Sequence, residues 1–188
     1  MIAAIRRRVV VLVCGERDRG DDGAALRAVE YLPAGALAGA AIRDCGGLEV
    51  DHLLAVRPDE AYLVVDAAIG LAPGEIVTRS ISSLVAAGER AGRPGSPAPR
   101  STHVLPLSEV LSLAAILRPG LPPGAFVGIG GSSFGFGEEL SPAVERALPA
   151  LCVAIAAEIE RLGCVETPNE EVSPGVARYG SVVDHRAL

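Results

Sequence analysis

The sequence contains no lysine, no tryptophan and a single methionine. Without lysine a Walker phosphate loop is excluded outright, because that loop needs its lysine on the terminal phosphates. All 17 basic residues are arginine, which reads as a genomic composition bias. Aromatic residues make up 3% of the chain and hydrophobic residues 49%, so the core must be built from Ala, Val, Leu and Ile. A net charge of −6 argues against a nucleic-acid surface, which needs clustered positive charge. No apolar run approaches the roughly 20 residues that span a bilayer. The one basic run, Arg6 to Arg8, precedes an apolar stretch that stops at Gly15, where charges follow, so it does not read as a signal peptide. These absences lead to the expectation of a soluble, cytoplasmic protein with neither nucleic-acid nor membrane partners. None of Cys14, Cys45, Cys152 and Cys164 forms a C-x-x-C pair, and they read as small reduced core residues rather than a zinc site.

The 188 residues favour one domain with a sizeable core. Val9 to Val13 is β-branched and apolar, which predicts a buried strand. AALRAVEYL then carries Ala25, Leu26, Val29 and Leu32 at helical spacing. Strands are predicted at 40–47, 61–68, 74–81 and 124–131, and helices at 49–56 and from Ser108 as N-cap. Residues 89–102, rich in Gly, Pro, Ser and Arg, read as a long exposed loop. Ser141-Pro142 opens a last helix whose apolar stripe is Val144, Leu148, Leu151, Ile155, Ile159 and Leu162. The alternation predicts a single three-layer α/β/α domain over residues 1–163, with a mostly parallel twisted sheet. Residues 164–188 are polar and aperiodic and read as a tail or arm.

The chemistry concentrates where strands end. The loop GERDRGDDG (15–23) follows the first strand with four acids against two arginines, and its glycines do not fit G-x-G-x-x-G. That charge suits a cation better than a phosphate. Asp21 and Asp22 open a helix, and favouring its dipole is the simpler account of either one. Asp66 closes the third strand, and His103 precedes the helix at 108. If the first and third strands are parallel, Asp22 and Asp66 emerge at the carboxyl edge of the sheet, where ligands of open α/β sheets bind. His103 can reach the same edge from its loop. Two carboxylates and an imidazole suit a borderline divalent ion such as zinc or nickel. Taken singly, Asp66 reads as a turn cap, His103 as a loop histidine and Asp44, before Gly46 and Gly47, as a tight turn. His52 and His185 read as solvated.

GERDRGDDGAALRAVEYL, DCGGLEVDHLL, YLVVDAAIGLAPGEI, STHVLPLSEVL and VGIGGSSFGFGEELSPAVERAL, in that order, resemble the blocks of the hydrogenase maturation endopeptidases over about residues 8–162. The resemblance implies a phosphorylase/hydrolase-like α/β fold. It also implies the removal of a C-terminal extension from the nickel-containing large-subunit precursor of a hydrogenase. The family's metal ligands match Asp22, Asp66 and His103, which makes these the implied catalytic residues, and its aspartate–glycine turn matches Asp44. Nickel would be supplied by the substrate, with another divalent metal such as zinc or cadmium able to occupy the same ligands. The chain departs from the family at Glu16, Arg17, Asp18 and Gly47, which bears on the shape of the substrate groove. A non-catalytic nickel-sensing assembly factor, or checkpoint chaperone for a metalloenzyme subunit, is the alternative. A small-molecule α/β enzyme or binding protein with acids at the switch point is a second.

The loop Gly130–Gly137 holds Phe134 and Phe136 among glycines that give them little cover. At least one ring is expected to be exposed and to help bind the precursor.

Overall fold

The computed structural model describes residues 6–91 and 106–164. Its strands are β1 (Val9–Cys14), β2 (Ala40–Gly46), β3 (Ala61–Ala68), β4 (Ile76–Ser80) and β5 (Gly124–Gly130). Its helices are α1 (Ala24–Tyr31), α2 (Val50–Leu54), α3 (Ile81–Ala91), α4 (Leu107–Leu117) and α5 (Pro142–Gly163). The strands form one sheet in the order β2-β1-β3-β5-β4, parallel except for β4, which runs antiparallel to β5. The polar tail read at 164–188 apart from Cys164, most of the loop read at 89–102, and His103 and His185 lie outside the described residues.

β1 and β3 are buried at every position, as continuous apolar runs require when helices cover both faces. Side chains alternate between the two layers. Val9, Val11 and Val13 pack with α1 and α5, while Val10, Leu12 and Cys14 pack with α2, α3 and α4. All six residues of the α5 stripe are buried against the first layer. Each such side chain contributes on the order of 1.5–3 kcal/mol relative to exposure. Ser141 caps this helix as expected, accepting from the Val144 N–H at 3.5 Å, with Pro142 in its first turn. No helix among the described residues is long and apolar enough to cross a membrane.

Four local readings change. The strand expected to run to Ile81 stops at Ser80, whose hydroxyl accepts from the Ser83 N–H at 3.2 Å and starts α3 with no intervening loop. That helix extends to Ala91, into the segment read as a loop. Helix α4 begins earlier than Ser108: Pro106 stands at its N-cap position, and the Ser108 carbonyl instead accepts from the Ser112 hydroxyl at 2.7 Å. His52 is not simply solvated, because its Nδ1 accepts from the Glu49 N–H at 3.1 Å and completes a capping box on α2.

Candidate metal-binding site at the carboxyl edge

The chain leaves β1 through Gly15, which has φ +109° and donates its N–H to the Gly46 carbonyl at 2.7 Å. A Cβ here would lie 1.9 Å from the Asp22 carbonyl oxygen, so only glycine lets the loop fold back on itself. The Glu16 N–H donates to Asp22 Oδ2 at 2.8 Å. That bond comes from the main chain, so the departure from the family pattern at Glu16 leaves it intact. Asp22 is 3% exposed, on the short 3₁₀ turn Gly20–Gly23 that leads into α1.

Its neighbour does different work. Asp21 Oδ2 accepts from the Ser132 N–H at 2.8 Å, the Ser133 N–H at 3.1 Å and the Ser132 hydroxyl at 3.3 Å. Oδ1 accepts from the Ser141 N–H at 2.6 Å, at the entrance to α5. Burial pushes the Asp21 carboxyl up, but the N–H groups of Ser132, Ser141 and Ser133 outweigh it and hold the group below the ordinary carboxylate value. The adjacent acids are therefore two functions: Asp21 fastens two distant segments of chain, and Asp22 faces the loop after β1. Reading the pair through the helix dipole missed this. The signal that could have raised it was a second loop of small residues with free main-chain donors, at 131–133.

Asp66 is 5% exposed near the end of β3. The register Val13↔Val65 sets Cys14 level with Asp66, and alternation turns both toward the α2–α4 layer. The Cys14 thiol reports on its surroundings. It is pushed well above its ordinary value by burial first, then by Asp66, Cys45, Asp22 and Asp44. Three carboxylates thus act on one sulfur at the end of β1. Asp44 itself is exposed, and its Oδ1 accepts from the Gly46 N–H at 3.2 Å, the bond of the tight turn that the sequence suggested. Among the described residues no three His, Cys, Asp or Glu side chains are grouped closely enough to hold a metal ion. A metal bound here would take Asp22 and Asp66 and needs a further donor from outside those residues.

No family model and no curated protein matches the chain. Solved structures do. The NiFe hydrogenase maturation protease HybD from Thermococcus kodakarensis is 25% identical, with a TM-score of 0.59 over 83% of this chain and 99% of that one. The hydrogenase maturating endopeptidase HybD from E. coli is 22% identical, with a TM-score of 0.62 over 83% of this chain and 94% of that one. The maturation protease HycI from Thermococcus kodakarensis KOD1 is 23% identical, with a TM-score of 0.56 over 82% of this chain and 94% of that one. This is the fold of the hydrogenase maturation proteases. The resemblance carried by the five sequence blocks holds in the tertiary structure.

On this maturation-protease fold the glycine-rich segment after β5 lies against the acidic loop. The Asp21 N–H donates to the Ser133 carbonyl at 2.8 Å, Gly20 N–H to the Glu138 carbonyl at 3.2 Å, and Gly137 N–H to the Asp18 carbonyl at 2.6 Å. Gly131 is needed beneath the Phe134 ring, since a Cβ there would come within 2.5 Å of it. Phe134 is half-buried and packs against the core, whereas Phe136 is 84% exposed. One ring caps the core and the other projects beside the acidic loop. Ile69, just past β3, is also exposed.

Proposed function

We propose that this chain is the endopeptidase of a hydrogenase maturation pathway, acting on a large-subunit precursor that already carries nickel. The observation that supports it most is the pair of buried carboxylates, Asp22 and Asp66, brought to the carboxyl edge of a maturation-protease fold. A buried carboxylate is costly unless paired or bound to a cation, and two of them gathered at one edge suit a divalent ion. Asp22, Asp66 and His103 complete the coordination of the precursor's nickel and so place the scissile bond beside it. With the peptide carbonyl polarised by the metal, one carboxylate takes a proton from water as the oxygen adds to the carbonyl carbon. The C–N bond then breaks, and the proton passes to the leaving amine. The products are a shortened large subunit ending in a carboxylate and the free extension.

Recognition by the metal explains why an acidic, lysine-free surface is no handicap: the charge selects a cation-bearing precursor. Asp44, at the turn beside this edge, and the rings of Phe134 and Phe136 are the proposed substrate contacts, with Phe136 as the exposed anchor. Phe136→Ser is expected to weaken precursor binding about tenfold with an unchanged melting temperature, as for an exposed interface aromatic. A clear loss of thermal stability would return the ring to the core.

The deciding experiment incubates the protein with nickel-loaded and nickel-free precursor. A shortened product from the loaded form alone is expected. Nickel-dependent binding without cleavage would favour the non-catalytic assembly factor, a reading kept open by the charged loop, where Arg17 pairs with Glu30 of α1 at 2.5 Å. Neither binding nor cleavage would overturn both.

A further inference from the structure

β2 is a terminal strand of the sheet, paired with β1 on one side only. The Val9 N–H donates to the Gly39 carbonyl and the Gly15 N–H to the Gly46 carbonyl. In a parallel ladder that phase turns the main-chain groups of Ala41 and Arg43 toward β1, and those of Ala40, Ile42 and Asp44 outward. Among the described residues nothing pairs with that outer row, and Ile42 is 41% exposed beside it. The opposite edge is different: β4 is shorter, five residues against the seven of β2, and short edge strands discourage pairing. The free edge of β2 also has a destination. It runs to Asp44, which the register sets level with Val13 and, through it, with Val65, one residue before Asp66.

We infer that the outer edge of β2 takes an extended segment of the precursor as a sixth strand, which delivers the scissile bond to the acidic cluster. This rests on the protease reading above and adds how the peptide is held. A row of unpaired N–H and C=O groups recognises another extended backbone and little else. A segment laid along Ala40–Asp44 spans about 17 Å at roughly 3.3 Å per residue, and one of its ends lies at the acids. Side chains add selectivity. Ile42 and Arg43 lie on opposite faces, so the fitting segment carries an apolar residue beside Ile42 and an acidic residue next along the chain, beside Arg43. Docking through main-chain bonds orders the segment before the metal is engaged, and it tolerates variation at the other positions.

The test is residue-resolved amide hydrogen exchange on the full chain, with and without a synthetic peptide comprising the precursor's extension and the residues before the cut. Strand addition predicts at least tenfold slower exchange at Ile42 and Asp44, with Ala41 and Arg43, already bonded to β1, unchanged. A second arm uses Ile42→Pro, which removes an outward N–H and leaves the ladder to β1 intact. It should raise the precursor concentration for half-maximal cleavage about tenfold at unchanged maximal rate, one to two lost hydrogen bonds. Cleavage of the precursor with no alternating protection overturns this proposal and leaves the protease reading standing. If Ile42→Pro fails to fold, the exchange pattern on the wild-type chain still decides. A precursor that neither binds nor is cut overturns both.

Discussion

The two ends of the sheet bury acids by different means. At the amino edge Glu60 is 3% exposed, and it is closed off by one neighbour: Arg57 gives its N–H at 2.9 Å and its guanidinium at 3.2 Å. Nearby, Arg118 donates to the carbonyls of Leu54 at 3.2 Å and Val56 at 2.5 Å. Charge there is answered by charge or by carbonyl oxygen within a few residues of chain or one helix contact. At the carboxyl edge Asp21, Asp22 and Asp66 are all buried, and the donors shown for the first two are main-chain N–H groups and one serine hydroxyl. Main-chain donors hold a carboxylate in place without cancelling its charge. The buried acid at the amino edge is thus answered by its own arginine, whereas at the carboxyl edge three carboxylates lie near the Cys14 sulfur. That difference is what the proposed cation site at the carboxyl edge rests on.

The comparison breaks most visibly at the proposed ligands. Asp22→Asn and Asp66→Asn should each lower precursor processing by about a thousandfold or more while the circular dichroism spectrum stays native, since an amide replaces a carboxylate of the same shape. His103→Ala should do the same. Processing retained by any of the three variants would remove that residue from the site.

The next effect is on stability. Asp21→Ala leaves the N–H groups of Ser132, Ser133 and Ser141 without their acceptor, at a cost of about 2–3 kcal/mol, or roughly 4–12 °C in melting temperature. Its pH dependence has a definite sign. The Asp21 carboxyl titrates below its ordinary value in the folded protein, so its stabilisation is complete above the unfolded value of about 3.9 and is lost as pH falls through the lower folded value. The stability difference between wild type and Asp21→Asn should therefore shrink below about pH 4. A difference constant from pH 7 to pH 3 would show that the charge on Asp21 is not what holds the two loops.

The smallest effect belongs to the amino edge. Glu60→Gln keeps an acceptor for the Arg57 N–H and loses an ion pair whose arginine side chain is 59% exposed and hence solvent-screened. The expected cost is about 0.5–1 kcal/mol with no change in processing. A processing defect in this variant would mean that the two ends of the sheet are coupled, against the division drawn above.

Much of this architecture was legible because burial on both faces of a parallel strand is written as composition. Val9–Cys14 and Ala61–Ala68 are apolar without interruption except at Asp66, and α5 states its buried stripe outright. Asp66 was visible for the same reason, as the one charge in a run that excludes charge, and Asp22 as an acid where a strand gives way to a helix. Helix α3 was not legible, because a single serine serves both as the last residue of β4 and as the cap of the helix, with no loop to mark the change.

The sequence by itself therefore determined which segments are strands and helices, which faces they bury, and that acids collect at strand ends. These are local properties, set by periodicity and by the cost of burying charge. Long-range packing alone set the strand order, the reversal of β4, the place of β2 at the end of the described sheet, and which of two adjacent aspartates is a fastener. The partners of Asp21 lie 111 to 120 residues away in the chain. No local pattern encodes a bond across that distance, because it forms only when the sheet brings the ends of β1 and β5 to the same edge.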